Sequence, residues 1–377
     1  MNLRRIKPIA VKEFRQIVRD KRSLILLLIY PALLMVLFGY ALNFDVKHVS
    51  LAVLDQDNSR ASREFIRSLL HSEYFDLRGY LSRPQEVDEL LDESRVQAVL
   101  VVPTDFGVQL ASGREVKVQL NLDGANSNSA AAVVGYVTAA CQSFSGRILT
   151  DLLLRSGRNS ISLPIDYRPR VWYNPELRSA RFLIPGLIAI ILLIMTVVST
   201  ALSIVREKER GTMEQIIVSP VQPIEIILGK TLPYVLISLV ASVVILLTGW
   251  GLFGIAVRGN VLLLYLGMFV FLMGGLGLGL LISTLTHSQQ AAFMISALLT
   301  MLPTIILSGF IFPIRNMPVV IRLVSYIIPA RYFLPILRGI IVKGVGFGAL
   351  WQSYLFLFGF AVLVILLSTA RLRRQMA

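Results

Sequence analysis

The side chains that most often carry chemistry are scattered along this chain. Its only cysteine is Cys141, and His48, His71 and His287 lie far apart in the sequence. No group of His, Cys and carboxylate residues has the spacing of a metal site. The acidic residues fit solvated turns and helix faces better than acid chemistry; examples are Asp55, Asp57, Asp88, Glu89, Asp92 and Glu93. The sequence therefore predicts no catalytic site and no metal.

Gly229-Lys230-Thr231 has the letters that end a phosphate-binding loop. The first glycine of that motif would fall at Ile224, and a long apolar run follows where a soluble helix is required. We therefore expect no ATP to bind to this chain.

Hydroxyl side chains form two regular stripes within long apolar runs. Each stripe keeps to one face of a helix, because its members recur at three- and four-residue steps. They are Thr196, Ser199, Thr200 and Ser203 on one run, and Ser296, Thr300, Thr304 and Ser308 on another. Such stripes are typical of close helix packing in membranes. They equally suit a pathway for an amphiphilic substrate, in which the stripes face each other across a dimer cavity and Val197 points outward to lipid.

The stretch from Arg206 to Lys230 is strongly charged and separates two apolar runs. Each charge would cost roughly 2.5–3.5 kcal/mol at the centre of a bilayer, so this stretch must lie at a membrane face. Thr212 can cap a short amphipathic helix that Pro220 ends. We predict that a soluble partner docks here, through Glu207, Lys208, Glu209, Arg210, Gly211, Thr212, Glu214 and Pro220.

Six uncharged runs position these features. The chain of 377 residues is 55% hydrophobic and 16% charged, which is typical of a polytopic membrane protein. A helix of about 20 residues crosses the bilayer core. The predicted transmembrane helices are Ser23–Leu42, Phe182–Ile204, Thr231–Phe253, Asn260–Ser283, Gln289–Ile311 and Ala349–Ala370. In the fourth, Gly267, Gly274, Gly275, Gly277 and Gly279 predict close approach of neighbouring helices.

Positive residues before the first span and after the last predict that both termini are cytoplasmic. Residues 1–22 then form a cytoplasmic amphipathic helix on the inner leaflet, or simply a topogenic charge cluster, and residues 371–377 form a tail. Residues 205–230 also lie inside. Between the last two spans, four prolines cut residues 312–348 into pieces too short to cross, which predicts external re-entrant helices. The five basic residues of this segment oppose that orientation, but the more basic N-terminal segment usually dominates.

Residues 43–181 differ in composition and hold 17 of the 23 acidic residues. Strand-like runs at Val49–Leu54, Gln97–Val102 and Glu115–Leu122 alternate with helical runs at Ser59–His71, Pro84–Asp92 and Asn126–Leu154. The predicted fold is thus a polytopic α-helical membrane protein of six transmembrane helices, with an α/β extracytoplasmic domain between helices 1 and 2. The excess of positive charge belongs to the membrane-facing parts, so no nucleic acid is required as a partner.

Three classes of function compete. An ion-coupled transporter normally needs intramembrane Asp, Glu or His, and a membrane enzyme needs a reactive cluster; the predicted spans offer neither. A transporter driven by a separate nucleotidase fits both absences. A membrane-anchored receptor or scaffold that does not transport stays open as the alternative.

Several stretches resemble the membrane subunit of type 2 ABC exporters, and most closely the bacterial permeases with a large periplasmic domain after the first span. They are KEFRQIVRDKRSLILLLIYPALLMVLFGY, REKERGTMEQIIVSP, SGFIFPIRNMP and YIIPARYFLPILRG. The resemblance implies a permease in the bacterial inner membrane that exports drugs, lipids or other amphiphiles. It implies that Glu207–Pro220 is the coupling helix.

The resemblance also implies partners. Cytoplasmic ABC subunits would bind ATP and Mg, and a second permease copy or a paralogue would complete a dimer. A periplasmic adaptor, an outer-membrane channel and membrane lipids are further expected partners, whereas the chain itself would carry no cofactor.

Overall fold

The computed structural model describes residues 3–42, 46–155, 172–175, 178–211 and 222–376. The chain divides into two compact units: a helical unit of Met1–Asn43 with Val171–Ala377, and an α/β unit of Phe44–Arg170. In chain order the elements are α1 (Leu3–Arg19), α2 (Lys21–Ala41), β1 (Val49–Asp55), α3 (Arg60–Leu70), β2 (Phe75–Tyr80), α4 (Gln85–Asp92), β3 (Ala98–Val102), α5 (Phe106–Ala111), β4 (Gln119–Leu122), α6 (Ser127–Arg155), α7 (Ser179–Glu209), α8 (Pro223–Phe253), α9 (Val261–Leu285), α10 (Gln289–Leu307), α11 (Val319–Val324), α12 (Ala330–Arg338) and α13 (Phe347–Met376).

Within the described residues, five helices are long and apolar enough to cross a membrane: α7, α8, α9, α10 and α13. They match five of the six predicted spans. The first predicted span lies on α2, in which Leu27–Ala41 forms a shorter apolar helix. The proline-rich segment forms two helical pieces, Val319–Ile327 and Ala330–Lys343, that meet at 84° and would count as a sixth span if taken together.

The α/β unit contains a four-stranded sheet in the order β2-β1-β3-β4. β1 is parallel to both β2 and β3, and β4 is antiparallel to β3. The prediction of an α/β fold is confirmed, but the prediction missed β2, whose exposed, polar sequence lacks a clear apolar pattern because it lies at an edge. Cys141 is half-buried against the core, and burial raises the pKa of its thiol. The thiol is therefore less reactive than a free cysteine.

α7 is the central helix of the helical unit and packs against α2, α8, α9, α10 and α12. Glycines on α9 allow neighbouring helices to approach closely. A Cβ added at Gly279 would lie 2.6 Å from the carbonyl oxygen of Val197, and one added at Gly277 would lie 3.0 Å from Val364 on α13. The predicted role of these glycines in close helix packing is confirmed.

Arg338 joins α12 to α7 and to the residues that follow α10. The Arg338 guanidinium donates hydrogen bonds to the carbonyl oxygens of Gly309 and Phe310, each at 3.1 Å, just beyond the end of α10. It also lies over the ring of Phe182 on α7, 4.0 Å from the centroid. At least this positive charge of the proline-rich segment is used in packing, which weakens its value as a topological signal.

Candidate functional site

The four charged residues that end α7 contact other helices of the unit. The Lys208 ammonium donates to the carbonyl of Ser283 near the end of α9 at 2.6 Å. The Glu209 carboxylate accepts the backbone N–H of Gln289, the first residue of α10, at 2.7 Å. Arg206 donates to the side-chain oxygen of the same glutamine at 3.3 Å. These bonds join α7 to the end of one helix and the start of the next.

Glu207 takes part in a cluster of four charges, which we name the ion cluster: Lys12, Glu13, Glu207 and Lys230. Its carboxylate lies 3.0 Å from the Lys12 ammonium and 2.5 Å from that of Lys230, and Lys230 lies 3.1 Å from Glu13. The side chains of Glu13 and Lys230 are each only 3% exposed, and that of Glu207 is 11% exposed. Isolated charges would not be buried this deeply, so mutual pairing is what makes the arrangement possible.

Sequence reasoning missed Glu13 as a functional candidate. A signal was present, since Glu13 shares a helical face with Ile6 and Ile17, which are both buried. A carboxylate at a buried position requires a basic partner. The sequence alone does not identify that partner, because Lys230 is 217 residues away along the chain.

The predicted coupling residues are divided between buried, exposed and undescribed positions. Glu207 and Lys208 bind other parts of the chain, whereas Arg210 and Gly211 are exposed. Gly211 has a φ of +68°, a left-handed conformation that commonly ends a helix and favours glycine. Thr212, Glu214 and Pro220 lie in residues 212–221, outside the described part of the chain. The docking role stays a prediction.

Six of the eight stripe hydroxyls are buried within the helical unit: Thr196, Thr200, Ser296, Thr300, Thr304 and Ser308. Several bond to the backbone of their own helix. Thr196 Oγ1 donates to the Leu192 carbonyl at 2.7 Å, and Thr200 Oγ1 donates to the Thr196 carbonyl at 2.8 Å. This pattern is common for hydroxyl residues inside helices, and it uses the single O–H donor of each residue that makes such a bond.

The other two hydroxyls, Ser199 and Ser203, line a cavity of about 270 Å³, which we name the α7 cavity. Its polar lining also includes Asp20 and Arg206. The remaining lining residues are Gln16, Ile17, Leu27, Tyr30, Met195, Val198, Leu202, Tyr234 and Phe293. The cavity thus combines a mainly apolar wall with several polar groups, which is the usual composition of a ligand pocket.

A smaller cavity of about 220 Å³ adjoins the ion cluster. It shares Gln16, Ser203, Arg206 and Tyr234 with the α7 cavity, and it is also lined by Lys12, Glu13 and Glu207. The ion cluster therefore lies beside the α7 cavity.

The expectation that Val197 faces lipid is wrong. This residue is fully buried, and its carbonyl lies against Gly279 of α9. Val197 and Thr196 are adjacent in sequence and both pack inward, because α7 is surrounded by helices on several sides.

Comparisons with known proteins concern the chain as a whole. Residues 21–370 match the family described as ABC-2 family transporter protein. The probable multidrug ABC transporter permease YbhS of Escherichia coli strain K12 is 35% identical over all of this chain and 98% of its own length. The probable multidrug ABC transporter permease YbhR of the same strain is 31% identical over 91% of each chain. The inner membrane transport permease YhhJ, also of that strain, is 26% identical over 94% of this chain and 93% of its own. With spanning helices and full-length similarity to permeases, the chain belongs to the ABC-2 family of transporter proteins.

Proposed function

We propose that this ABC permease subunit exports hydrophobic or amphiphilic compounds, and that the α7 cavity binds them. The observation that carries the proposal is the position of this cavity. It lies against α7, whose charged end begins the predicted docking segment, residues 206–222, so movement of that end would deform the cavity wall. The names of two relatives, which describe them as probable multidrug permeases, support the same class of substrate.

The lining of the α7 cavity suits such a compound. Met195, Leu202 and Phe293 supply apolar contacts, while Ser203 and Arg206 supply hydrogen-bond donors. A volume of about 270 Å³ is near the lower end of the range of about 300–1,000 Å³ for ligand pockets. This volume would hold one ring system or a short chain, with the remainder of a larger compound outside.

Energy would come from separate ATP-binding subunits, as membership of this family implies, and these subunits would bind the ATP and Mg. We place their docking site at residues 206–222. The chain would act in the inner membrane as a homodimer or with a related permease, with both termini in the cytoplasm. The α/β unit would then be periplasmic, in a position to meet an adaptor and an outer-membrane channel, and the segment around α11 and α12 would be re-entrant from the outside.

The docking site can be tested at Arg210, which is exposed at the end of α7. We expect Arg210→Glu to reduce co-purification of the ATP-binding subunit by about tenfold, because reversing one charge at an interface can cost more than about 1.4 kcal/mol. The matched control is Arg373→Glu, an exposed arginine on the last turn of α13. Equal co-purification of both variants would place the docking site elsewhere.

The substrate class can be tested with Nile red, a neutral hydrophobic dye. Proteoliposomes that contain the permease and its ATP-binding subunits should move the dye only when ATP is present, and the permease alone should neither hydrolyse ATP nor move the dye. Failure of the intact complex to move Nile red would contradict the proposed substrate class.

A further inference from the structure

We propose that Lys12 and Glu13 are positioning residues for energy coupling, which attach α1 to the two helix ends that flank the docking segment. In this arrangement α1, the end of α7 and the start of α8 move as one unit when ATP is bound and hydrolysed. This inference rests on the proposed docking of ATP-binding subunits at residues 206–222.

The geometry of the ion cluster supports this arrangement. Positive and negative groups alternate around it: Lys12 lies 3.0 Å from Glu207, Glu207 lies 2.5 Å from Lys230, and Lys230 lies 3.1 Å from Glu13. The last two neighbours, Lys12 and Glu13, are 3.8 Å apart. The cluster is thus a closed ring without net charge, in which every member has two partners of opposite sign.

The positions of the four ring residues in the sequence show which segments of the chain the ring joins. Glu207 lies near the start of the docking segment, residues 206–222, and Lys230 lies on α8 shortly after its end, so their ion pair joins the two ends of this segment. Both α1 residues bind to this pair, Lys12 through Glu207 and Glu13 through Lys230. A force on the docking segment would therefore reach α1 together with α7 and α8.

The packing of α1 shows that it is more than a helix resting on lipid. Its backbone approaches α8 so closely that a Cβ added at Gly229 would lie 2.8 Å from the Cβ of Ile9. Glu13 lies in the same buried region, between Ile6 and Ile17. A carboxylate on the apolar face would oppose insertion into a leaflet. Here it is accommodated because Lys230 meets it inside the protein.

Buried ion pairs are a poor source of stability, since well-packed apolar residues often stabilise a protein as well or better. Their best-established use is to specify one arrangement of the parts they join. In this chain the ring connects α1 to the docking segment. Its role is therefore in coupling, because stability alone would not require buried charges here.

The test changes only the α1 side of the ring, so that the Glu207–Lys230 pair stays intact. The variants are Glu13→Gln, Lys12→Gln and the two combined, each purified as the complete complex with its ATP-binding subunits. We expect normal co-purification and continued ATP hydrolysis, with Nile red moved per ATP reduced by at least about fivefold in the double variant. Lys12→Gln alone should have the smaller effect, because the Lys12 side chain is 57% exposed.

The matched control is Lys7→Gln, an exposed residue of α1 outside the ring. It should leave the amount of dye moved per ATP unchanged. Normal coupling in the double variant, with normal assembly, would overturn the inference, and loss of co-purification would assign these residues to docking instead.

Hydrogen exchange of the α1 amides provides a second test that needs no substrate. In the wild-type complex these amides should stay protected both without nucleotide and with a non-hydrolysable ATP analogue. In the double variant they should lose protection in both states. Exposure of α1 in one nucleotide state of the wild-type complex would show that the ring opens during the cycle, which would overturn the proposed rigid unit. Failure of the wild-type complex to move Nile red would contradict only the substrate class, and this second test would still decide the inference.

Discussion

Two faces of α7 carry hydroxyl residues, and these residues have different surroundings. On one face Thr196 and Thr200 are buried against Gly275 and Gly279 of α9, and their hydroxyls bond to the backbone of α7. On the other face Ser199 and Ser203 line the α7 cavity. A hydroxyl in an apolar helix therefore has no fixed role, because the neighbouring helix decides whether it meets a backbone or an open space.

The face of α7 that packs against α9 should show the largest loss of stability when a single methyl group is added. Gly279→Ala would place a Cβ 2.6 Å from the Val197 carbonyl and 2.9 Å from the Cβ of Thr200, so the two helices must separate. Overpacking of this kind typically costs about 1–3 kcal/mol. We expect less protein in the membrane and a lower thermal unfolding midpoint of the purified permease.

Gly359→Ala on α13 is the control for this change, since nothing lies within 4 Å of a Cβ added there. It should leave the unfolding midpoint unchanged or raise it slightly, because alanine favours a helix over glycine. Equal midpoints for the two alanine variants would mean that α7 and α9 do not pack closely at this point.

The cavity face should respond in transport with little change in stability. Ser203→Leu would fill part of the α7 cavity, and we expect Nile red transport by the complete complex to fall about tenfold, equivalent to about 1.4 kcal/mol of lost interaction. The unfolding midpoint should change little, because the leucine side chain enters existing space and only the hydrogen bond between Ser203 and Tyr234 is lost. Ser353→Leu on α13, a half-buried serine outside the α7 cavity, is the control. Normal transport by Ser203→Leu would exclude this cavity from the pathway.

The smallest effect is expected at a packed hydroxyl. Thr200→Val keeps the shape of the side chain and removes a hydrogen bond to the Thr196 carbonyl. Because that carbonyl also takes part in the α7 helix, the change in unfolding free energy should stay below about 1 kcal/mol. Transport should stay within about twofold of wild type. A stable Thr200→Val protein that fails to transport would indicate that Thr200 contacts the substrate.

The contrast between the two faces also shows what the periodicity of the sequence could predict. It correctly placed the hydroxyls on helices, and it left packing and substrate contact as equal alternatives. In the structure two residues of the α7 stripe are buried against α9 and two line the α7 cavity, while Ser296, Thr300, Thr304 and Ser308 are all buried. The spacing of residues on one helix cannot show which of its faces a second helix covers.

The α/β unit shows the same limit. β1 and β3 are buried and strongly apolar, so the sequence predicted both of them. β2 pairs along its full length with β1, yet most of its side chains are exposed. Backbone pairing holds this strand in place, and backbone pairing leaves no clear pattern of side chains.

The charged end of α7 makes contacts within the chain that the sequence did not predict. The sequence predicted that the charges of this end lie at a membrane face, and it favoured an external partner for all of them. The structure uses Glu207, Lys208 and Glu209 within the chain. Lys208 and Glu209 bind residues 75 and 80 positions away. Glu207 binds Lys12, 195 positions away, as well as Lys230. Such pairs depend on how α1, α8, α9 and α10 meet, which no local pattern encodes.

Local chemistry thus determined which parts of this protein are helices in an apolar environment, where charges interrupt them, and where glycine permits close packing. These properties follow from the cost of exposing apolar groups to water or charges to lipid, and each residue carries them wherever it lies. Only the tertiary structure decided that Glu13 meets Lys230 and that Ser203 borders a cavity while Thr200 does not. Those outcomes depend on contacts between segments distant in sequence, because burial and pairing are properties of two surfaces and never of one.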